Sequence, residues 1–317
     1  MISVCVAYSG RADANPLKPV IAALRAAGAE GFKVNLEGHD TPKERIRSAW
    51  NAADWLSAKP DGWLLVLGDR FEILEACLTA VICKIRIAHI HGGETSEGSF
   101  DDSIRNAISM LADLHFVSAE PHRRKLIGMG INPDAIHVVG APGLDNIADL
   151  PPRKPERLFV VTYHPATRAQ EDVRELLAAL NAFQKHRVVF TGVNADPGAY
   201  EIRKWIADWG GGEVVADMGA SDYFALLRRS ACMIGNSSSG LIEAPSLQVA
   251  AVNIGDRQKG RLRGAGVIDC PCEHKAIIAA IEQAIAYQGP WDTPYRRGAS
   301  KRIAEILCGQ ESVAALC

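Results

Sequence analysis

The chain has 317 residues, about twice a typical domain, so two domains are expected, and a hydrophobic content of 48% supplies cores for both. A balance of 35 basic and 37 acidic residues leaves a formal net charge of -2, which argues against general nucleic-acid binding or attraction to a membrane surface but leaves room for a local basic pocket. No apolar run reaches the roughly 18 residues that span a bilayer, and the opening MISVCVAYSGRADANP lacks a basic segment and a long apolar one, so a cytoplasmic chain with no signal peptide is expected.

In the first half, β-rich apolar runs fall at 2–9 (ISVCVAYS), 32–36, 62–68 (GWLLVLG), 86–92 (RIAHIHG), 114–118 and 135–140, and amphipathic stretches such as NPLKPVIAALRAAG and RFEILEACLTAVICK separate them. This alternation predicts parallel strands with helices on both faces. The proline- and charge-rich DLPPRKPER (149–157) reads as a linker, after which strands resume at 158–164, 187–193, 212–217, 231–236 and 249–255. The segment 293–317 reads as a helix with Ile303, Ile306, Leu307 and Val313 on its apolar face. The expected fold is therefore α/β. It has two Rossmann-like parallel-sheet domains, 1–148 and 149–292, facing a ligand cleft, and a C-terminal helix packs back toward the first. The 8 cysteines are scattered, with Cys270 and Cys272 the one close pair, and no zinc spacing or C-x-x-C occurs, so reduced thiols are expected.

Parallel sheets bind ligands at the carboxyl ends of their strands, and those ends carry the titratable residues. The first strand is followed by Arg11 and the third by Asp69 in GDRFE. The fourth runs into HIHGGETSEGSFDDSIR (89–105), with Glu94 and Asp101, and His164 follows the first strand of the second half. Several carboxylates around one cleft suit proton abstraction and return; for Asp69 and Asp101 taken singly, helix capping is the alternative. His89 and His91 alternate on one strand and so are expected to point the same way, but no third ligand follows at a familiar spacing, and no metal is expected. GNSSSGLIEAP (235–245) reads as a turn feeding a helix. There, Asn236, Ser237, Ser238, Ser239 and Gly240 could cradle phosphate and Glu243 could accept from ribose hydroxyls, with a serine-rich cap as the alternative. GDRQKGRLRG then offers Arg257, Lys259, Arg261 and Arg263 as cations for a diphosphate, or as a solvated charge run.

The segments LGDRFE, HIHGGETSEGSFDDSIR, LHFVSAEPHRRKLIGMG, VVGAPGLDNI, TYHPAT and IGNSSSGLIEAPS…VNIGDRQKGR occur in family order over most of 65–270. In them the chain resembles the UDP-N-acetylglucosamine 2-epimerases, specifically the hydrolysing branch used in sialic acid and related nonulosonate synthesis. The resemblance implies a glycosyltransferase-B type fold with UDP on the second domain, no cofactor or metal, and homo-oligomers (dimer or tetramer). It also implies elimination of UDP to a glycal followed by addition of water, releasing N-acetylmannosamine in the simplest case. Residue by residue it implies catalytic Asp69, Glu94, Asp101 and His164, substrate contact at Arg11, and nucleotide contacts at Ser238, Ser239, Glu243 and the cations of GDRQKGR. Residues 28–61 are shorter than the corresponding family segment, whose loop contributes to closing over the sugar.

Three functions compete on these grounds. The first is the hydrolysing epimerase, acting on UDP-N-acetylglucosamine or on a UDP-2,4-diacetamido-2,4,6-trideoxy-glucose type sugar that feeds legionaminic acid. The second is a transferase of the same fold, against which the carboxylate cluster speaks. The third is a non-catalytic UDP-sugar-binding protein, against which Asp69, Glu94, Asp101 and His164 speak.

Overall fold

The computed structural model describes residues 2–9, 11–36, 62–147, 153–166, 171–193, 198–215 and 218–309. Most of the shortened 28–61 segment, part of the proposed linker, the side chain of Arg11 and the tail beyond 309 lie outside the described residues. The chain divides into two compact units: Met1–Glu94, Asp101–Asn146 and Tyr295–Cys317 form the first, and Thr95–Phe100 with Ile147–Pro294 form the second. The expected boundaries were continuous ones at 148/149 and 292/293; here the six residues Thr95–Phe100 group with the second unit although the first flanks them on both sides.

The first unit is built on β1 (Ser3–Tyr8), α1 (Arg11–Ala26), β2 (Glu30–Asn35), β3 (Trp63–Leu67), α2 (Phe71–Ile82), β4 (Arg86–Ile90), α3 (Asp101–Leu111), β5 (Leu114–Val117), α4 (Glu120–Gly128) and β6 (Ile136–Val138). Its six strands pair in parallel in the order β2-β1-β3-β4-β5-β6. Alternate side chains on a strand face opposite ways, and helices cover both faces, so β1 and β3 are buried along nearly their whole length. Val4, Val6, Leu65 and Ile90 share one core with Leu17, Val20 and Leu24 of α1. Cys5, Ala7, Leu64 and Val66 share the other with Ile73, Ala76 and Cys77 of α2 and Ile108 of α3. The last described helix of the chain, Ala299–Gly309, belongs to this unit and buries Ile303, Ala304 and Leu307 in the α1 core.

In the second unit, β7 (Leu158–Thr162), α5 (Val173–Leu180), β8 (Arg187–Thr191), α6 (Ala199–Trp209), β9 (Glu213–Val215), α7 (Ala220–Arg229), β10 (Cys232–Gly235), α8 (Glu243–Ser246), β11 (Ala251–Ile254), β12 (Val267–Cys270) and α9 (His274–Ala286) follow one another. The sheet order is β12-β11-β10-β7-β8-β9, again all parallel. The sequence did not announce β12. It is a four-residue edge strand whose residues are all at least partly exposed, so it carries no apolar run to recognise. The helix expected after GNSSS is also broken up, into a 3-10 turn at Ser238–Gly240 and the four-residue α8. Strand order reverses between β1 and β3 in the first unit and between β7 and β10 in the second. Ligands of open parallel sheets collect at the carboxyl ends beside such reversals. Among the described residues no helix is long and apolar enough to cross a membrane.

Two imidazoles are locked in the first sheet: His89 of β4 and its cross-strand partner His115 of β5 are both fully buried. Burial holds His89 down at about 3 and His115 down at about 4. Both are thus neutral when folded, while the unfolded chain protonates them near 6.5, so protons favour unfolding. Stability should fall as pH drops below about 6.5, by up to about 1.4 kcal/mol per pH unit for each imidazole, and this contribution should level off once the folded values are passed. Urea midpoints at pH 7.5 and pH 5 check it: His115→Leu should show a smaller loss between the two than the parent chain, and an equal loss would contradict the account.

Candidate active site

In the first unit the chemistry gathers at the carboxyl edge of β3, β4 and β5. The centre is Arg105, which α3 delivers inward and which is 1% exposed. One guanidinium nitrogen donates to Asp69 Oδ2. The other donates to Asp102 Oδ1 at 3.2 Å and to the backbone carbonyl of Glu94 at 3.0 Å. Asp69 is therefore no helix cap: the residue capping α2 is Arg70, which makes no side-chain cap bond. Asp101 lies in the first turn of α3, where a carboxylate is favoured by the helix dipole, and it is partly exposed.

Glu94 is 1% exposed. Its Oε1 accepts from His91 Nδ1 at 2.5 Å and from the Ser118 hydroxyl at 2.7 Å. Lys125 Nζ donates to the Glu94 carbonyl at 3.0 Å, and burial lowers the pKa of that ammonium. His89 and His91 part company, contrary to the alternation expected of them. His89 stays in the strand, its Nε2 donating to the Gly68 carbonyl at 2.8 Å and its Nδ1 lying 3.1 Å from Ser109 Oγ. β4 ends at Ile90, and His91 takes a left-handed φ of 66°, which turns its ring to Glu94. Gly93 follows with a φ of 75°; a Cβ there would come 2.5 Å from the His122 carbonyl, so the turn seats flat against α4. Among the described residues no cluster of three His, Cys, Asp or Glu is placed to hold a metal ion.

The second unit has its own centre in Asn236, which is fully buried just beyond β10. Its side chain accepts from the His164 amide at 2.7 Å and donates to the His164 carbonyl at 2.8 Å, tying the ends of β7 and β10 together. A Cβ on Gly235 would overlap the Thr162 carbonyl, so only glycine lets the two strand ends close up. Arg257 and Gln258 donate to the Asn236 carbonyl at 3.2 and 2.9 Å, and Arg257 also reaches the Pro165 carbonyl. This guanidinium, expected as a diphosphate partner, thus braces the backbone of the strand ends. Ser237 caps the 3-10 turn, accepting from Ser239 N at 3.4 Å, which gives it the capping role weighed above. Ser239 Oγ lies 2.6 Å from Tyr223 OH, Glu243 opens α8, and the exposed Lys259 pairs with Glu97 at 3.7 Å.

The structure adds residues that strand-end reading passed over. Arg105, Ser118, His122 and Lys125 stand in the quoted segments, but Arg105 and Lys125 lie inside helices, where spacing does not separate them from a solvated face. Ser118 and His122 follow β5, and the strand-end rule could have found them. Glu171 carries no local signal. Its carboxylate accepts from the Asp256 amide at 2.7 Å, from Tyr163 OH at 3.2 Å and from Asn236 Nδ2 at 3.4 Å, joining the ends of β7, β10 and β11.

A family model for UDP-N-acetylglucosamine 2-epimerase matches residues 46–308. The Polysialic acid biosynthesis protein P7 of Escherichia coli is 39% identical over 72% of this chain and 63% of its own length. A UDP-N,N'-diacetylbacillosamine 2-epimerase (hydrolyzing) from Legionella pneumophila is 33% identical over 70% of this chain and 63% of its own. The chain thus spans less than two thirds of either relative. The crystal structure of UDP-GlcNAc 2-epimerase from Neisseria meningitidis bound to UDP-GlcNAc superposes with a TM-score of 0.79 at 18% identity, over 98% of this chain and 100% of that one, a likeness of fold.

Buried, forked contacts of the Arg105 kind couple strongly, whereas exposed pairs such as Arg187 with Glu213 contribute about 1 kcal/mol or less. A double-mutant cycle of Arg105→Gln with Asp69→Asn, read by urea unfolding, should give a coupling of about 2–3 kcal/mol. The same cycle at Arg187 and Glu213 should give under about 1 kcal/mol, and equal couplings would remove Arg105 as the organiser.

Proposed function

The chain belongs to the UDP-N-acetylglucosamine 2-epimerase family, and from that premise we propose that it is a hydrolysing UDP-sugar 2-epimerase acting on UDP-N-acetylglucosamine. The observation that carries the reading is the Glu94–Asp69 pair. These are two carboxylates at adjacent strand ends, one 1% exposed and held by two donors, the other held by a buried guanidinium. One step removes the C2 proton as the C1–O bond to UDP breaks, leaving a C1=C2 glycal. The next adds water, hydroxyl to C1 and proton to C2 from the opposite face, and releases free N-acetylmannosamine. Both steps need a base and an acid beside one carbon, a pairing that Asp69, Glu94 and Asp101 supply in this proposal, with His164 the fourth catalytic group.

The leaving diphosphate needs cations and backbone donors. In the proposal these come from Arg11, the Asn236–Gly240 turn, Lys259 and Arg261, with Glu243 accepting from ribose hydroxyls and Arg257 bracing the backbone of the turn. No resident cofactor is part of the reading, and a homo-oligomer is. A second sugar is favoured by the activity for which the Legionella relative is named: UDP-N,N'-diacetylbacillosamine, processed by the same chemistry.

The test is to incubate the chain with each UDP-sugar and separate the products. Free manno-configured sugar and UDP in equal amounts are expected, and the ratio of kcat/KM between the two substrates selects the sugar. Glu94→Gln and Asp69→Asn should each lower turnover by at least about 100-fold while UDP still binds by calorimetry. A product still linked to UDP would replace the hydrolytic reading with a simple epimerisation. Near-parental rates in both variants would remove the carboxylates from the mechanism.

A further inference from the structure

The reading of Glu94 as a catalytic carboxylate leaves open what keeps it ionised and aimed, and the junction of β5 with α4 answers that. Ser118 Oγ stands 2.7 Å from Glu94 Oε1 and 2.9 Å from His122 Nδ1, and both Ser118 and His122 are buried. A hydroxyl has one proton to give, and a carboxylate has none. When Glu94 is ionised, the Ser118 proton points to Glu94, and the Ser118 oxygen must then accept from His122 Nδ1.

We propose that Ser118 and His122 are positioning residues that form a one-way donor chain, His122 Nδ1–H to Ser118 Oγ–H to Glu94 Oε1, which fixes the carboxylate and holds it ionised for its proton transfer. The proposal rests on the reading of Glu94 given above. Donors in series polarise one another, and a chain ending on a charge is stronger than its members alone. Ser118 directly follows β5 and His122 lies in the first turn of α4, so the β5–α4 junction brings the two side chains together. The same element fastens the backbone beside Glu94: the His122 carbonyl seats Gly93, and Lys125 Nζ holds the Glu94 carbonyl.

Among the described residues, the charged and titratable groups near Glu94 include His91 of its own turn, His89 of β4, Arg105 and Asp102 from α3, Lys125 and His122 from α4, and Asp69 beyond Arg105. His91 donates to the same oxygen as Ser118, so the chain acts on Oε1 beside the His91 donor. The inferred tautomer of His122 is the opposite of that of His89, whose Nε2 donates to a carbonyl.

Two measurements on the full chain test this. Side-chain proton–nitrogen correlation spectra of histidine-labelled protein, with His122 assigned from its Asn variant, should show a protonated Nδ1 at neutral pH. A bare Nδ1 there overturns the proposal, whatever the enzyme's activity. In kinetics, Ser118→Ala should move the acid limb of the kcat/KM profile up by about one pH unit, the scale of one hydrogen bond to an ion. It should also lower kcat by about ten-fold, with KM changed by no more than about two-fold. His122→Asn, which keeps an N–H near the Nδ1 position, should restore most of the profile, and His122→Leu should behave like Ser118→Ala. A limb that stays in place in Ser118→Ala, with the chain folded, overturns the proposal. Absence of any turnover in the parent chain, with Nδ1 protonated, would instead count against the epimerase reading and leave the donor chain standing.

Discussion

A buried guanidinium needs partners on several sides, and that demand shapes the first unit. Arg105 projects from α3 into a place where water does not reach, so its donors must be met by the protein. They are met by Asp69 beyond β3, by Asp102 one turn back on its own helix, and by the Glu94 carbonyl in the turn after β4. One side chain thereby ties the residue after β3 to the turn after β4 and to the start of α3. Neutralising Arg105 fixes the Asp69 and Asp102 carboxylates and the backbone of Glu94, and the left-handed His91 with Gly93 shapes the turn that brings Glu94 there.

The second unit is centred on a neutral amide instead. Asn236 has a donor and an acceptor on one planar group, and it spends both on the backbone of His164. Arg257 and Gln258 close over the Asn236 carbonyl, and Glu171 anchors the amide that begins the cationic loop. The serine turn and the arginine loop therefore stand on a rigid base at the strand-order reversal. Thr95–Phe100 joins this base through the Glu97 amide, which donates to the Lys259 carbonyl at 3.0 Å. Glu94 and Asp101, at its two ends, belong to the other unit.

Much of this was legible in the sequence, for physical reasons. Strands covered on both faces are mostly apolar, so β1, β3, β4 and β7 stood out, and the edge strand β12, half exposed and four residues long, did not. Asp69, Glu94 and His164 were singled out because they follow apolar runs, and in the structure each does follow a strand. Arg105 was not, since an arginine inside DDSIRNAI looks the same whether it faces water or the core. Glu171 was not either, because its partners come from three separate strand ends. The Arg257 side chain shows the limit from the other side: a cation-rich loop reads as a phosphate grip, yet one of its members turns inward to brace a carbonyl. Tautomers and hydrogen-bond directions, such as those along His122, Ser118 and Glu94, follow only once distances are known.

The central claim is that Asp69, Glu94 and Asp101 exchange the proton at C2 of a UDP-linked amino sugar. It is tested most directly by running the reaction to completion in D2O and reading the product by proton NMR. The account predicts a free manno-configured sugar carrying deuterium at C2, because the proton lost in elimination mixes with solvent before water adds. A released sugar that keeps its original C2 proton would contradict it.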